Sequence, residues 1–132
     1  MQEINYEKFQ ETVNECLIRH KSILDVLSKF QEASARVNRA FAKAVTSCGC
    51  VRINASRQSC PSGVDSYSEL RNFMHSHLEG ELCDNCREIL ETELGQTLFY
   101  LAAFCNLCHL SLDEIVQKEY ARVLTLGQYI LS

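Results

Sequence analysis

Apolar residues recur along this chain at helical spacing, in blocks separated by one long polar stretch. The first block predicts an amphipathic helix from about Ile4 to Ile18. Ile4, Phe9, Val13, Cys16 and Leu17 gather on one side of it, with Glu7, Lys8, Glu11 and Glu15 elsewhere. Arg19, His20 and Lys21 then place positive charge at its last turn, where the helix dipole favours cations. Ser22 is a natural cap for a second, longer helix reaching about Ser47. Its apolar seam runs Ile23, Leu27, Phe30, Ser34, Val37, Phe41, Ala44, in steps of four and three. That spacing predicts lengthwise packing on another helix, and Gly49 supplies a stop signal.

The pattern changes after Gly49. Residues from Val51 to Ser68 are rich in Ser, Asn, Gly and Pro and read as loop. Ser66 and Glu69 have capping-box spacing and predict a short helix with Leu70, Phe73, Met74 and Leu78 on its apolar face, closed by Gly80. A fourth helix follows, with Asp84 as its expected cap and its end near His109. Its first half is acidic, with Glu88, Glu91 and Glu93 and then Gln96, and its second half is an apolar run from Leu98 to Leu110. Ser111 and Glu114 form another capping box and open a last helix to about Val123. The tail TLGQYILS is apolar enough to dock. No internal repeat or low-complexity segment is present.

Composition narrows the class. The chain has 132 residues, one Pro, five Gly and a net charge of −4, which suits a single all-α domain spanning 1–132 with few breaks in long helices. A mildly acidic chain without a basic run gives no footing for nucleic acid or an anionic membrane. The apolar run of helix four is too short, and too interrupted by Asn106 and His109, to span a bilayer. The polar start MQEINYEKFQ lacks the layout of a secretion signal, so a cytoplasmic address is the default expectation. Eight cysteines in a reducing compartment then point to metal ligation or core packing in preference to disulfides.

Four of those cysteines form a ligand pattern. Cys48 and Cys50 end helix two, Cys83 and Cys86 begin helix four, and the insertion 51–82 separates the pairs. Two close pairs of thiolates can each grip one edge of a tetrahedron, as a structural zinc site requires. At the start of helix four the dipole would also favour thiolates. An iron–sulfur cluster would use the same ligands, and four reduced, packed cysteines are the plain alternative. Cys105 and Cys108 lie inside the apolar run and Cys16 on the stripe of helix one, so all three are expected in the core. Cys60 is an unpaired thiol in the loop. His75 and His77 are near enough to Cys83 in sequence to be substitute ligands, but read first as surface residues of the short helix.

From Leu90, the run LETELGQTLFYLAAFCNLCHLSLDEIVQKEYARV resembles the MazG-like group of all-α nucleoside triphosphate pyrophosphohydrolases. The likeness is carried by Glu93-Leu94-Gly95, by Leu98-Phe99-Tyr100-Leu101-Ala102, and by the helix start Ser111-Leu112-Asp113-Glu114-Ile115-Val116. Helices one and two are more weakly similar. The resemblance implies a four- or five-helix bundle and cleavage between the α and β phosphates of a nucleotide, with Mg²⁺ held by carboxylates. The family pattern is E-E-x-x-E on one helix and E-x-x-D on the next. Carried onto this chain it falls on Gln31, Glu32 and Ala35, then on Glu93 and Gln96, so two of the five carboxylates remain. Glu88 and Glu91, or Glu11 and Glu15 on helix one, are the acids that could fill the gaps. Glu32 and Arg36 are also spaced as an ordinary helix-stabilising pair.

The sequence thus predicts a MazG-like helical core whose insertion is clamped by a four-cysteine zinc site. Two functions follow as expectations. In one, a decayed catalytic site leaves a nucleotide- or protein-binding module. In the other, an active Mg²⁺-dependent pyrophosphohydrolase works around Glu32 and Glu93. The apolar length of helix four, more than a small bundle hides, leads to the expectation of a homodimer.

Overall fold

The computed structural model describes residues 3–19 and 21–127. His20 and the end of the expected docking tail, residues 128–132, lie outside the described residues. Among the described residues, five α-helices and one small sheet follow in the order α1 (Tyr6–Cys16), α2 (Ile23–Lys43), β1 (Val51–Ile53), α3 (Tyr67–Leu70), β2 (Leu78–Gly80), α4 (Asp84–Leu107) and α5 (Leu112–Leu126). The architecture is mostly helical, as expected, but the sheet was not foreseen.

Helix starts follow side-chain chemistry closely. Asn5 accepts from the Lys8 amide at 2.7 Å and starts α1, while Ser22, Ser66 and Ser111 cap α2, α3 and α5 in the same way. Each hydroxyl or amide oxygen satisfies an amide that the helix itself leaves unpaired. The start of α4 differs from expectation. Its cap is Cys83, whose Sγ accepts from the Cys86 amide at 3.4 Å, and Asp84 is the first helical residue. At the other end of α4, His109 adopts a left-handed conformation (φ 58°) and the Leu110 amide reaches the Cys105 carbonyl at 2.8 Å. That six-residue closure is a Schellman-type stop made without glycine.

α2 and α4 form the most extensive pairing and run antiparallel, since Cys48 meets Cys83 at one end and Arg36 meets Glu93 further along. Val26 and Ala33 are the buried positions of this long helix and Ala44 of the turn that follows it, with Phe30 and Val37 half-buried between them. The expected seam is therefore corrected. Ile23, Leu27 and Ser34 face solvent, and Phe41 lies beside the buried row. Ala33, Ala102 and Ala103 are fully buried, and such small side chains allow backbones to approach closely. A seam chosen by large apolar residues passes over them.

The main core joins Val13 and Leu17 of α1, Val26 of α2, Ala102, Ala103 and Cys105 of α4, and Leu112 of α5. α4 and α5 are bent 108° from each other, which turns α5 across the bundle. Cys105 is buried as expected, but Cys16 and Cys108 are exposed and leave the core assignment. No single helix among the described residues is long and apolar enough to cross a membrane.

In the insertion, the expected loop from Val51 contains β1, which pairs antiparallel with β2 in the register Val51↔Gly80, Arg52↔Glu79, Ile53↔Leu78. The short helix stops at Leu70, followed by a 3₁₀ turn over Arg71–Phe73, so Leu78 belongs to a strand and not to a helical face. His75 and His77 lie in the segment between that turn and β2, His77 with a left-handed φ of 60°. Arg52 and Asn54 both bond the Glu79 carboxylate, at 2.8 and 2.9 Å, across the strand pair. Gly80, expected to close a helix, instead lets the strands meet. Its φ is +85°, and a Cβ there would lie 2.6 Å from the Cys50 carbonyl oxygen. Gly80→Ala should therefore destabilise the fold by about 2 kcal/mol. Chemical denaturation checks this, and an unchanged midpoint would mean the Cys50 backbone moves aside freely.

Candidate metal centre

Local structure delivers each cysteine pair to the same end of the α2–α4 pairing. The last turn of α2 widens into a π-helical turn over Ala44–Cys48, closed by the Gly49 amide on the Ala44 carbonyl at 2.8 Å. Gly49 then reverses the chain with φ +81°, so Cys48 and Cys50 stand on either side of a tight bend. Opposite them, Cys83 caps α4 and Cys86 occupies its first turn. The small sheet closes behind, with Gly80 packed on the Cys50 carbonyl. A second apolar cluster forms the floor, made of Ala44, Val51 and Cys86 with Phe41, Val45 and Leu82 against them.

The four Sγ atoms lie within 4.8 Å of one another, and Cys48 Sγ is 3.8 Å from Cys83 Sγ. With metal–sulfur bonds of about 2.3 Å, the edge of a tetrahedral thiolate site is about 3.8 Å. The cluster can thus hold a metal ion with small inward movements. Cys86 is buried, Cys50 and Cys83 are partly covered, and Cys48 is exposed.

Proton sharing within the cluster is uneven. The Cys86 amide, and then its thiol, donate to Cys83 and lower the Cys83 thiol to about 7. Cys86 keeps its proton as donor to Cys83 and loses hydration, so its thiol is pushed up to about 12. Without a metal the cluster stabilises one thiolate by hydrogen bonds from its neighbours. A divalent cation would displace the remaining protons.

The other sequence candidates are not at this site. Cys60 is exposed, with Sγ 3.7 Å from the Pro61 carbonyl oxygen, and neither His75 nor His77 belongs to the four-ligand group. Glu32 and Glu93 come to either side of one guanidinium. Arg36 Nη1 donates to Glu32 Oε1 at 2.7 Å, and Arg36 Nε donates to Glu93 Oε2 at 3.1 Å. Lys29 adds a third cationic contact, 3.3 Å from Glu32 Oε2. Its hydrogen bond, followed by the charges of Lys29 and Arg36, holds the Glu32 carboxyl below the usual range. Gln31, Glu88, Glu91 and Gln96 are exposed. Glu11 lines a different cleft, with Glu7, Asp113 and Glu114. The Glu32–Arg36 spacing was legible in the sequence, but the bond from Arg36 across to Glu93 depends on helix packing.

No family model, curated protein or solved structure matches the chain.

Because metal binding must displace thiol protons, apparent zinc affinity should weaken steeply as pH falls from about 8 to about 6. Competition against a chromophoric chelator measures this. Affinity independent of pH would mean that the thiols are not the ligands.

Proposed function

We propose that this chain is a zinc-stapled helical binding module, related in plan to the MazG-like pyrophosphohydrolases, whose acidic site no longer performs their chemistry. The observation that carries the proposal is the position of Arg36 between Glu32 and Glu93. A magnesium site needs clustered carboxylates with unspent negative charge. Here the two remaining carboxylates are neutralised by Arg36 and Lys29, so these residues fit a magnesium ion poorly. The antiparallel α2–α4 pair, which brings both acidic positions together, supports a common plan with that family.

Zinc is the proposed metal. Four thiolates in a tetrahedron suit it, and the closeness of the four Sγ atoms supports a single ion over a cluster, whose ligands spread over several irons. A reducing, cytoplasmic setting would keep the thiols available. Purified under reducing conditions, the protein should carry about one equivalent of zinc, and metal analysis showing less than about half would count against a structural site.

For the acidic site, incubation with normal and damaged nucleotides plus Mg²⁺ should release no pyrophosphate, and Mg²⁺ should not raise the melting temperature. The second reading, an active pyrophosphohydrolase, would be established instead by release that disappears in Glu93→Gln.

A homodimer is proposed as the functional unit. An apolar groove of about 560 Å³ opens between α1, α4 and α5, lined by Tyr6, Phe9, Leu98, Leu101, Leu112 and Val116 among others. Tyr6 and Leu98 remain about half exposed there, at 50% and 51%. A second copy would cover this surface, and sedimentation at micromolar concentration should give the dimer mass. A monomer would remove that part.

A further inference from the structure

The four sulfurs of the metal centre differ in access. Cys86 is buried in the apolar floor, Cys50 and Cys83 are partly covered, and Cys48 alone of the four is exposed. The exposed sulfur is also in contact with one from the far end of the insertion. Cys48 Sγ, on the last residue of the π-helical turn, lies 3.8 Å from Cys83 Sγ, on the cap of α4. Cys50 Sγ turns instead toward the Ala44 carbonyl oxygen, 4.0 Å away. A disulfide is about 2.05 Å long, so the Cys48 and Cys83 sulfurs need to close by about 1.8 Å to bond.

We propose that Cys48 and Cys83 form a reversible disulfide when the protein meets a peroxide, and that this bond releases the metal. The proposal rests on the zinc-staple reading and adds a regulation of that same site. Zinc keeps its ligands as thiolates, the form that peroxides attack. Attack falls on Cys48 because reactivity follows exposure as well as charge. The Cys48 thiolate takes a hydroxyl group from hydrogen peroxide, giving a sulfenic acid and hydroxide. The Cys83 thiolate then attacks the Cys48 sulfur, forms the S–S bond and expels a second hydroxide. Two thiolates and one hydrogen peroxide thus give one disulfide and two hydroxides, with two electrons passing from sulfur to oxygen. Cys50 and Cys86 are then the only thiolates left, short of the four that close a structural zinc site. The main core is built from residues outside the cluster beside the cysteines, so the helices outlast the metal. The new bond still ties α2 to α4, and a reductant finds the four ligands close at hand.

Zinc-loaded full-length protein, freed of reductant, would be treated with hydrogen peroxide while a chromophoric chelator records released zinc. About one zinc should appear for about two thiols lost, and dithiothreitol with added zinc should reload the site. Peptide mapping should find Cys48 joined to Cys83. Far-UV circular dichroism should keep its helical signal. Cys48→His retains a zinc ligand and removes the disulfide partner, so under peroxide it should lose zinc at least about ten-fold more slowly. Cys60→Ser, which removes an exposed thiol outside the cluster, should respond as the unsubstituted protein does. The proposal is overturned if peroxide leaves the metal in place, if the mapped bond joins another pair, or if Cys48→His releases zinc at the original rate. Should Cys48→His fail to hold zinc, the bond mapped in the unsubstituted protein decides. Failure of the zinc reading shows differently, as reduced protein carrying less than about half an equivalent of metal. Mapping after peroxide treatment then still decides whether Cys48 and Cys83 bond.

Discussion

The structure depends most on the closure of a 32-residue insertion at one point. Both ends of that insertion enter and leave through the cysteine pairs, and bringing such ends together costs about 3 kcal/mol of chain entropy beyond a constant. Among the described residues, two three-residue strands and a small apolar floor oppose that cost. Isolated strand pairs of this length are marginal in water. A metal ion held by the four cysteines would oppose that cost far more strongly, since structural zinc contributes roughly 10–16 kcal/mol in zinc-finger peptides. The π-helical turn, the bend at Gly49 and the cap at Cys83 all make sense as devices that aim sulfur atoms at one place.

Electrostatics along α2 divide the helix functionally. Near its middle, Arg36 draws Glu32 and Glu93 together and spends their charge within the protein. One turn further on, Arg39 and Lys43 make no ion pair among the described residues.

Packing explains why these features need a rigid frame. Val26, Val51 and Cys105 are the largest fully buried side chains, so the interior relies on small residues and close backbone approach. Two separate apolar clusters result, one joining α1, α2, α4 and α5 and one beside the cysteines. Larger apolar groups remain exposed, among them Tyr6 on α1, Leu98 on α4 and Tyr120 on α5.

Much of this was legible in the residues themselves. Serine caps act on an amide two or three positions ahead, so Ser22, Ser66 and Ser111 could be read locally, as could the stop at Gly49. The cysteine pairs were also readable, because the spacing within each pair is a local signal; that the two pairs meet, with all four Sγ atoms within 4.8 Å, was decided by the packing of the helices. Tertiary structure decided the rest. Which face of α2 is buried depends on what α4 presents to it, and alanines won over Ile23 and Leu27. The strands Val51–Ile53 and Leu78–Gly80 exist through pairing with each other, which no short window contains. Arg36 could be matched to Glu32 by helical spacing alone, but its bond to Glu93 spans 57 positions and appears only when two helices meet.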